Sequence, residues 1–158
     1  HQPFIRERFT GDGGRARYRG PSGERDLAVR RCASLSEATL FTTSPLLMSE
    51  SDRAPFRRVE DYARLSRYGG DCYAYCMLAA GHIDLVIETG LKAYDIAALV
   101  PIITGAGGGI MQAGHVGPGR DARRVDLEQF GQHRADMGED VFPGLHDSRR
   151  APSLAETP

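Results

Sequence analysis

The chain has 158 residues, which is enough for one domain with a substantial hydrophobic core. Its 20 basic and 21 acidic residues give a formal net charge of −1, and this balance argues against a protein that binds nucleic acid or an anionic membrane surface. No apolar run has the length of a membrane span, and the opening residues HQPFIRERF do not follow the pattern of a targeting signal.

The three cysteines, Cys32, Cys72 and Cys76, are odd in number and form no C-x-x-C pair. Cys72 and Cys76 are four residues apart on a predicted helix, so we interpret them as small core residues in a reducing compartment, and we expect a cytoplasmic protein. The sequence lacks an initial Met and starts in strand-like residues, so we expect upstream residues to be missing.

The first part of the chain predicts short strands separated by glycine-rich turns. The predicted strands are residues 4–10, a short second strand ending near residue 18, residues 27–31, and the β-branched and aromatic run ATLFTT at 38–43. Ser34-x-x-Glu37 resembles a capping box and predicts one short helical turn before the last of these strands.

The middle of the chain alternates helices and strands. Helices are predicted over residues 52–66, 71–80 and 95–104, and a strand is predicted over residues 83–88. Gly69-Gly70 separates the first two helices, Asp71 is a candidate N-cap, and Pro101 would bend the third helix. This alternation predicts an α/β fold, a layered sandwich of sheets and helices.

After residue 110 the composition changes. Residues 111–158 are rich in Gly, Arg, His, Asp and Pro without a sustained hydrophobic period, so we predict a disordered tail there, and a domain at residues 1–110. His115, His133 and His146 match no metal-ligand spacing.

Three acidic residues lie where predicted elements begin or end, and each has two open interpretations. Asp95 is either a helix cap or a ligand for Mg²⁺, which prefers carboxylate oxygens. Glu88 is either an exposed strand end or part of a ligand crevice. Asp71 follows two glycines and is either a cap or a group beside a ligand. Together they predict an acidic mouth suited to a cation or a metal ion.

The segment GGDCYAYC, continuing through DLVIE to YDIAALVPII and GAGG, resembles the inositol-monophosphatase superfamily, and in particular its histidinol-phosphate phosphatase branch. The resemblance covers about residues 1–110. It implies the family's layered α/β sandwich, incomplete in this chain, and Mg²⁺-dependent hydrolysis of a small phosphate monoester. It also implies a homodimer in the intact enzyme. It assigns Asp95, in Tyr94-Asp95, to a metal ligand, and Glu88, Gly70, Asp71 and Cys72 to substrate contacts.

The family's Glu-Glu segment and its Asp-Pro-Ile-Asp-Gly-Thr motif, which carry most of the metal ligands, do not occur in residues 1–158. We therefore expect this chain to be inactive by itself. The leading hypothesis is hydrolysis of histidinol phosphate to histidinol, because Asp71 beside Glu88 favours a cationic substrate. The alternatives are a phosphatase for inositol 1-phosphate or a related monoester, and a non-catalytic binding or dimerisation fragment.

Overall fold

The computed structural model describes residues 1–111 as strands and helices of an α/β fold. The strands are β1 (Arg8–Gly11), β2 (Ala16–Gly20), β3 (Gly23–Asp26), β4 (Thr39–Thr42), β5 (Leu65–Tyr68) and β6 (Leu85–Val86). The helices are α1 (Glu50–Tyr62), α2 (Asp71–Ala79), α3 (Ala93–Ile96) and α4 (Val100–Gly105), and two 3-10 turns span Leu35–Glu37 and Pro45–Leu47.

Two three-stranded sheets form, one antiparallel in the order β1-β2-β3 and one parallel in the order β5-β4-β6. Helices α2 and α4 pack between the sheets, and α1 covers the far side of the parallel sheet. In β2, Ala16 and Tyr18 face this interior whereas Arg17 and Arg19 face solvent, as the period of a half-buried strand requires. The predicted layered α/β sandwich is confirmed.

Helix α4 lies directly on the β1–β2 hairpin because two glycines let the backbones meet. A Cβ at Gly11 would be 2.4 Å from the carbonyl oxygen of Pro101, and a Cβ at Gly105 would be 2.5 Å from the carbonyl of Arg15. Neither distance is sterically possible, so both positions require glycine. The hairpin and α4 thereby form one packed unit.

The predicted strand at 38–43 and the predicted helix at 71–80 are confirmed as β4 and α2. Helix α1 begins where the Ser49 hydroxyl accepts the Asp52 N–H at 3.2 Å, and it ends at Tyr62 rather than Ser66. The residues that follow form β5, which pairs in parallel with β4. The prediction of helix through Ser66 was wrong, because backbone pairing with β4 outweighs the helical period there.

Four other predictions are corrected. The third helix is two short helices, and Pro101 lies in the first turn of α4, where its missing N–H costs nothing. The strand expected at 27–31 is instead β3 at Gly23–Asp26, because the hairpin loop sets the pairing of Gly20 with Gly23. The strand expected from residue 4 begins only at Arg8. The turn after Ser34 forms, but the Ser34 side chain makes no capping bond.

Candidate functional site

The carboxyl ends of the three parallel strands bring together the residues that sequence analysis selected. Thr42 ends β4, Gly69-Gly70-Asp71 follows β5 and opens α2, and Glu88 follows β6. In α/β folds, ligands bind at this edge of a parallel sheet, because the loops that leave the strands converge there. We call Thr42, Thr43, Asp71 and Glu88 the threonine–carboxylate cluster.

Glu88 is the centre of this cluster. All the hydrogen bonds that its carboxylate accepts come from the last residue of β4 and the residue that follows it. Its Oε1 accepts the Thr43 N–H at 2.5 Å and the Thr43 hydroxyl at 2.7 Å, and its Oε2 accepts the Thr42 hydroxyl at 3.4 Å. Burial raises the pKa of the Glu88 carboxyl, the threonine hydrogen bonds oppose that rise, and the charge of Asp71 adds to it. The hydrogen bonds thus fix the carboxylate in position, but no positive charge among residues 1–111 balances its negative charge.

The turn before α2 determines where Asp71 lies. Gly69 and Gly70 have φ of 87° and 96°, and Asp71 itself has φ of 43°, a region that Asp tolerates better than most residues. Gly70, not Asp71, is the N-cap of α2, so the predicted capping role of Asp71 was wrong. The Asp71 carboxylate instead lies near Thr43, with 3.5 Å between Asp71 Oδ1 and the Thr43 hydroxyl.

Cys72 and Cys76 differ in exposure although they lie on the same helix. Cys76 is buried, as expected, whereas Cys72 is exposed next to Asp71, so the interpretation of Cys72 as a core residue was wrong. All three cysteines of the chain are free thiols. Cys72 therefore lies at the surface of the candidate site.

Asp95 lies in α3, and one of its two oxygens is already used. Its Oδ2 accepts the N–H of Lys92 at 2.7 Å, and Lys92 is the N-cap of α3. The prediction that Asp95 is itself the N-cap was wrong, because Asp95 is the third residue of the helix and bonds back to its start. The other oxygen, Oδ1, makes no hydrogen bond to any residue that the structure describes, which leaves it available to a ligand.

The residues described do not form a metal site by themselves. Mg²⁺ and Ca²⁺ each need about six or more oxygen ligands, several of which can be water. Within residues 1–111, no group of three or more His, Cys, Asp or Glu side chains is arranged to hold an ion. Asp95 can supply one ligand to such a site and no more than one.

Tyr75 is a feature of this region that sequence analysis missed. Its side chain is 4% exposed, and its hydroxyl has no hydrogen-bond partner among the described residues. Burial and the negative charges of Glu88 and Asp95 raise its pKa, so the hydroxyl keeps its proton. The hydrophobic period of α2 marks Tyr75 only as a core residue, and no sequence signal distinguishes an unpaired hydroxyl from a paired one.

A second buried carboxylate, Asp84, lies before β6 at the opposite end of the parallel sheet. Its side chain is 2% exposed and accepts two hydrogen bonds from the Arg30 guanidinium and one from the Thr39 N–H at 2.7 Å. Arg30 and these bonds lower its pKa below the usual value in spite of burial. This pair was also missed, because its members are far apart in the sequence.

Within residues 1–111, none of the helices is long and apolar enough to cross a bilayer. The exposed large hydrophobic side chains are Phe4, Ile5, Leu46, Leu47, Tyr62, Tyr68 and Tyr94. Leu46 and Leu47 follow β4 in the 3-10 turn next to the threonine–carboxylate cluster.

Comparison with known families gives a match to the model described as "Inositol monophosphatase family" over residues 1–138. The match extends past the boundary predicted at residue 110 into residues that the structure does not describe, and that boundary stays a prediction.

Among curated proteins, the chain is 50% identical over 109 residues to "Bifunctional phosphatase IMPL2, chloroplastic" of Arabidopsis thaliana, covering 69% of this chain and 31% of that protein. It is 27% identical to "Histidinol-phosphatase" of Chlorobaculum parvum, covering 67% of this chain and 40% of that protein. It is 29% identical to "Histidinol-phosphatase" of Mycobacterium tuberculosis, with coverage of 67% and 42%. The chain thus spans less than half the length of each of these relatives.

Among solved structures, the chain is similar to an inositol monophosphatase from Zymomonas mobilis, with a TM-score of 0.63 and 42% identity. That match covers 68% of this chain and 41% of the other. SuhB of Mycobacterium tuberculosis matches with a TM-score of 0.54 and 28% identity, covering 61% and 40%.

Proposed function

Because this chain belongs to the inositol monophosphatase family, we propose that it is part of a phosphatase that hydrolyses a small phosphate monoester with a positively charged organic part. The substrate we propose is histidinol phosphate, whose hydrolysis is a step of histidine biosynthesis. Two relatives named histidinol-phosphatase support this choice. The reaction joins a water oxygen to phosphorus, breaks the ester P–O bond and releases histidinol and inorganic phosphate. Members of the family are phosphatases and generally use divalent metal ions.

The observation that carries the proposal is a partly buried carboxylate, that of Glu88, without a cation beside it. Among residues 1–111, Glu88 forms no ion pair, whereas Asp84 is paired with Arg30. A desolvated carboxylate that stays unpaired raises the free energy of the folded protein, and a bound ammonium or imidazolium group relieves that cost. A polyol has no charge with which to do so.

The N-terminus of α2 supplies a second negative charge, that of Asp71. Asp71 is exposed, and the left-handed turn at Gly70 places its carboxylate near Thr43, the residue that also binds Glu88. We propose that Gly70, Asp71 and Cys72 line the part of the site that contacts the organic group of the substrate, together with Glu88. Two carboxylates near one hydroxyl would attract a cation more strongly than either alone.

We propose Mg²⁺ as the divalent ion and Asp95 as one of its ligands, through the carboxylate oxygen that Lys92 does not occupy. When bound, such an ion stabilises the negative charge that develops on the phosphate oxygens. Since residues 1–111 contain no further set of candidate ligands, the contribution we assign to these residues is recognition of the organic group, and we expect no turnover from them alone.

Calorimetric titration of the purified 158-residue chain with histidinol, with myo-inositol as the uncharged comparison, tests the recognition step. Glu88→Gln should weaken histidinol binding about 10- to 100-fold, the range expected for hydrogen bonds to a charged group. Glu24→Gln is the matched control, because Glu24 is exposed on β3 and pairs with Arg19. Binding of myo-inositol as tight as that of histidinol, unchanged by Glu88→Gln, would refute a cationic substrate.

Phosphate release from histidinol phosphate with Mg²⁺ tests the expected inactivity of the chain. Turnover at a rate typical of enzymes, about 1 s⁻¹ or faster, would show that the chain already holds a complete metal site. Loss of that turnover with Asp95→Asn would then identify Asp95 as one of its ligands.

The similarity to a solved inositol monophosphatase at 42% identity favours a second candidate, hydrolysis of inositol 1-phosphate or a related monoester. This candidate predicts that myo-inositol binds, and that neutralising Asp71 leaves the relative affinity for myo-inositol and histidinol unchanged. A third candidate is a non-catalytic binding or dimerisation fragment, for which a folded dimer that binds histidinol without turnover is the expected result.

We also propose a homodimer for the intact protein and a reducing, cytoplasmic location. The exposed pair Leu46 and Leu47 supports the first, because an apolar turn at the surface is suited to a subunit contact. Three free thiols support the second. Light scattering of the purified chain measures the oligomeric state, and a tagged copy imaged in cells locates it. Because the Arabidopsis relative is named as chloroplastic, a plastid location is the alternative outcome of this experiment.

A further inference from the structure

Thr43 lies between the two carboxylates of the threonine–carboxylate cluster. It follows the last residue of β4 and is partly exposed, whereas its neighbour Thr42 is 1% exposed. The Thr43 hydroxyl oxygen is 2.7 Å from Glu88 Oε1 and 3.5 Å from Asp71 Oδ1. Thr43 is therefore accessible to a ligand that binds at the carboxyl edge of the parallel sheet.

The Thr43 hydroxyl has one proton and can donate it to one carboxylate only. Glu88 receives this proton, because 2.7 Å is a normal distance for an O–H···O bond and 3.5 Å is too long. Asp71 thus gains no donor from Thr43, and it forms no ion pair with any residue in the range 1–111. The Asp71 carboxylate and the Thr43 oxygen are both left as acceptors.

The two oxygens of the Glu88 carboxylate are held unequally. Oε1 accepts the N–H of Thr43 at 2.5 Å and its hydroxyl at 2.7 Å, whereas Oε2 accepts one long bond, from the Thr42 hydroxyl at 3.4 Å. Short hydrogen bonds to a charged group are the strong ones. Thr43 therefore orients the carboxylate through Oε1, and Oε2 keeps most of its capacity to accept further bonds.

We propose that Thr43 is a positioning residue of this site: by donating to Glu88 Oε1, it directs Glu88 Oε2 and the Asp71 carboxylate to the ammonium group of the ligand. This inference rests on the function proposed above and adds the residue that orients its recognition group. An ammonium has N–H donors and no acceptor, so it matches a site in which acceptors are left over. A neutral hydroxyl of a polyol is a weaker donor to the same oxygens.

The test compares histidinol with imidazolyl propanol, which is histidinol without its amine. Calorimetric titration of the full 158-residue chain gives the affinity of each variant for both ligands. Thr43→Val, which replaces the hydroxyl by a methyl group, should weaken histidinol binding about tenfold and leave imidazolyl propanol binding unchanged within about twofold. Thr43→Ser keeps the hydroxyl and should bind histidinol as wild type does. Thr10→Val is the matched control, because Thr10 is exposed on β1, and it should change neither affinity.

Two results of this titration would overturn the role of Thr43. Equal weakening of both ligands by Thr43→Val would show that the substitution disturbs the whole site rather than the recognition of the amine. A Thr43→Ser variant as weak as Thr43→Val would show that the methyl group of Thr43, and not its hydroxyl, matters for binding.

A titration of the Glu88 carboxyl in the ligand-free chain, followed by carbon NMR, tests the same bond without any ligand. The Thr43 hydroxyl bond lowers the pKa of Glu88, so Thr43→Val should raise that pKa and Thr43→Ser should leave it unchanged. The Thr42 hydroxyl and the charge of Asp71, which also act on this pKa, are the same in both variants. An unchanged pKa in Thr43→Val would overturn the inference whatever the chain binds.

The two measurements separate this inference from the proposed function. Absence of histidinol binding by the wild-type chain, together with a raised Glu88 pKa in Thr43→Val, overturns histidinol phosphate as the substrate and supports the bond by which Thr43 orients Glu88. Histidinol binding that Thr43→Val leaves unchanged supports the substrate and overturns the role of Thr43.

Discussion

One buried and one partly buried carboxylate flank the two-residue strand β6, and the fold gives them opposite electrostatic environments. Asp84, before the strand, accepts a bidentate pair of hydrogen bonds from Arg30, and its pKa is lowered. Glu88, after the strand, accepts only neutral donors, and its pKa is raised. The difference separates a carboxylate that stabilises the structure from one whose charge is left for a ligand.

The amino end of the parallel sheet is held by a compact polar network. The Thr39 hydroxyl accepts from the Arg64 guanidinium at 2.9 Å and from Arg30 at 3.3 Å, while the Thr39 N–H donates to Asp84. Arg64 also donates to the Glu37 carbonyl at 3.0 Å. Arg30, Thr39, Arg64 and Asp84 all have partners among the described residues, so this network requires no ligand to be satisfied.

The largest effect should come from breaking that network. Asp84→Asn removes the charge that pairs with Arg30 and should lower the free energy of unfolding by about 3 kcal/mol, the low end for a buried pair because Arg30 is partly exposed. Urea unfolding measures it. Asp26→Asn is the control, because Asp26 pairs with Arg15 and Arg17 at the surface, where solvent screens the pair and little stability should be lost. Equal losses of unfolding free energy in both variants would show that the pairing of Asp84 with Arg30 is no more stabilising than a surface pair.

A smaller effect should appear in how stability depends on pH, with opposite signs at the two carboxylates. The Glu88 pKa is raised above 4.5, so the folded state binds more protons than the unfolded state in the window above that value, and stability falls as pH rises through it. The Asp84 pKa is lowered below 3.8, so its stabilising contribution is present above 3.8 and is lost as pH falls below it.

Urea unfolding of wild type, Glu88→Gln and Asp84→Asn between about pH 3 and about pH 8 checks these signs. The stability gain of Glu88→Gln over wild type should grow with pH above 4.5 and then level off. The deficit of Asp84→Asn should shrink as pH drops below 3.8. A gain for Glu88→Gln that is the same at every pH would mean that the Glu88 pKa is not raised.

The smallest effect should come from Asp71, because it is exposed. Asp71→Asn should weaken histidinol binding only about threefold, as expected for a solvent-screened charge. Asn suits the test because it tolerates the φ of 43° at this position. Calorimetric titration measures the change, with Asp61→Asn on α1 as a control for loss of one negative charge. A loss as large as that of Glu88→Gln would make Asp71 an equal partner in recognition.

The elements with strong sequence patterns were predicted well. Helix α2 runs between a double glycine and Gly81, and β4 is a continuous β-branched and aromatic segment, so both follow from local preferences. Strand β5 has the sequence LSRY, two residues of which are polar, and it is a strand only because β4 provides the pairing. Local sequence could not show it, since the helical period of α1 continues into it.

The sequence predicted which acidic residues lie at the candidate site but not their hydrogen-bond and ion-pair partners. Glu88 and Asp71 could be selected because acidic residues at the ends of predicted strands and helices are conspicuous, and both lie at the predicted edge. The pairing of Arg30 with Asp84, and the lack of a partner for the Tyr75 hydroxyl among residues 1–111, depend on three-dimensional neighbours that no spacing rule connects. Sequence analysis therefore found the acidic residues but not which of them the fold neutralises.

The close approach of α4 to the β1–β2 hairpin has a consequence for the order of folding. Gly11 and Gly105 are the two contact points, and nearly the whole described chain lies between them. During synthesis the hairpin leaves the ribosome long before α4 does, so its apolar face, with Phe9 and Tyr18, must wait for α4 to cover it. Until α4 is made, this face stays exposed to solvent and is a surface to which a chaperone can bind.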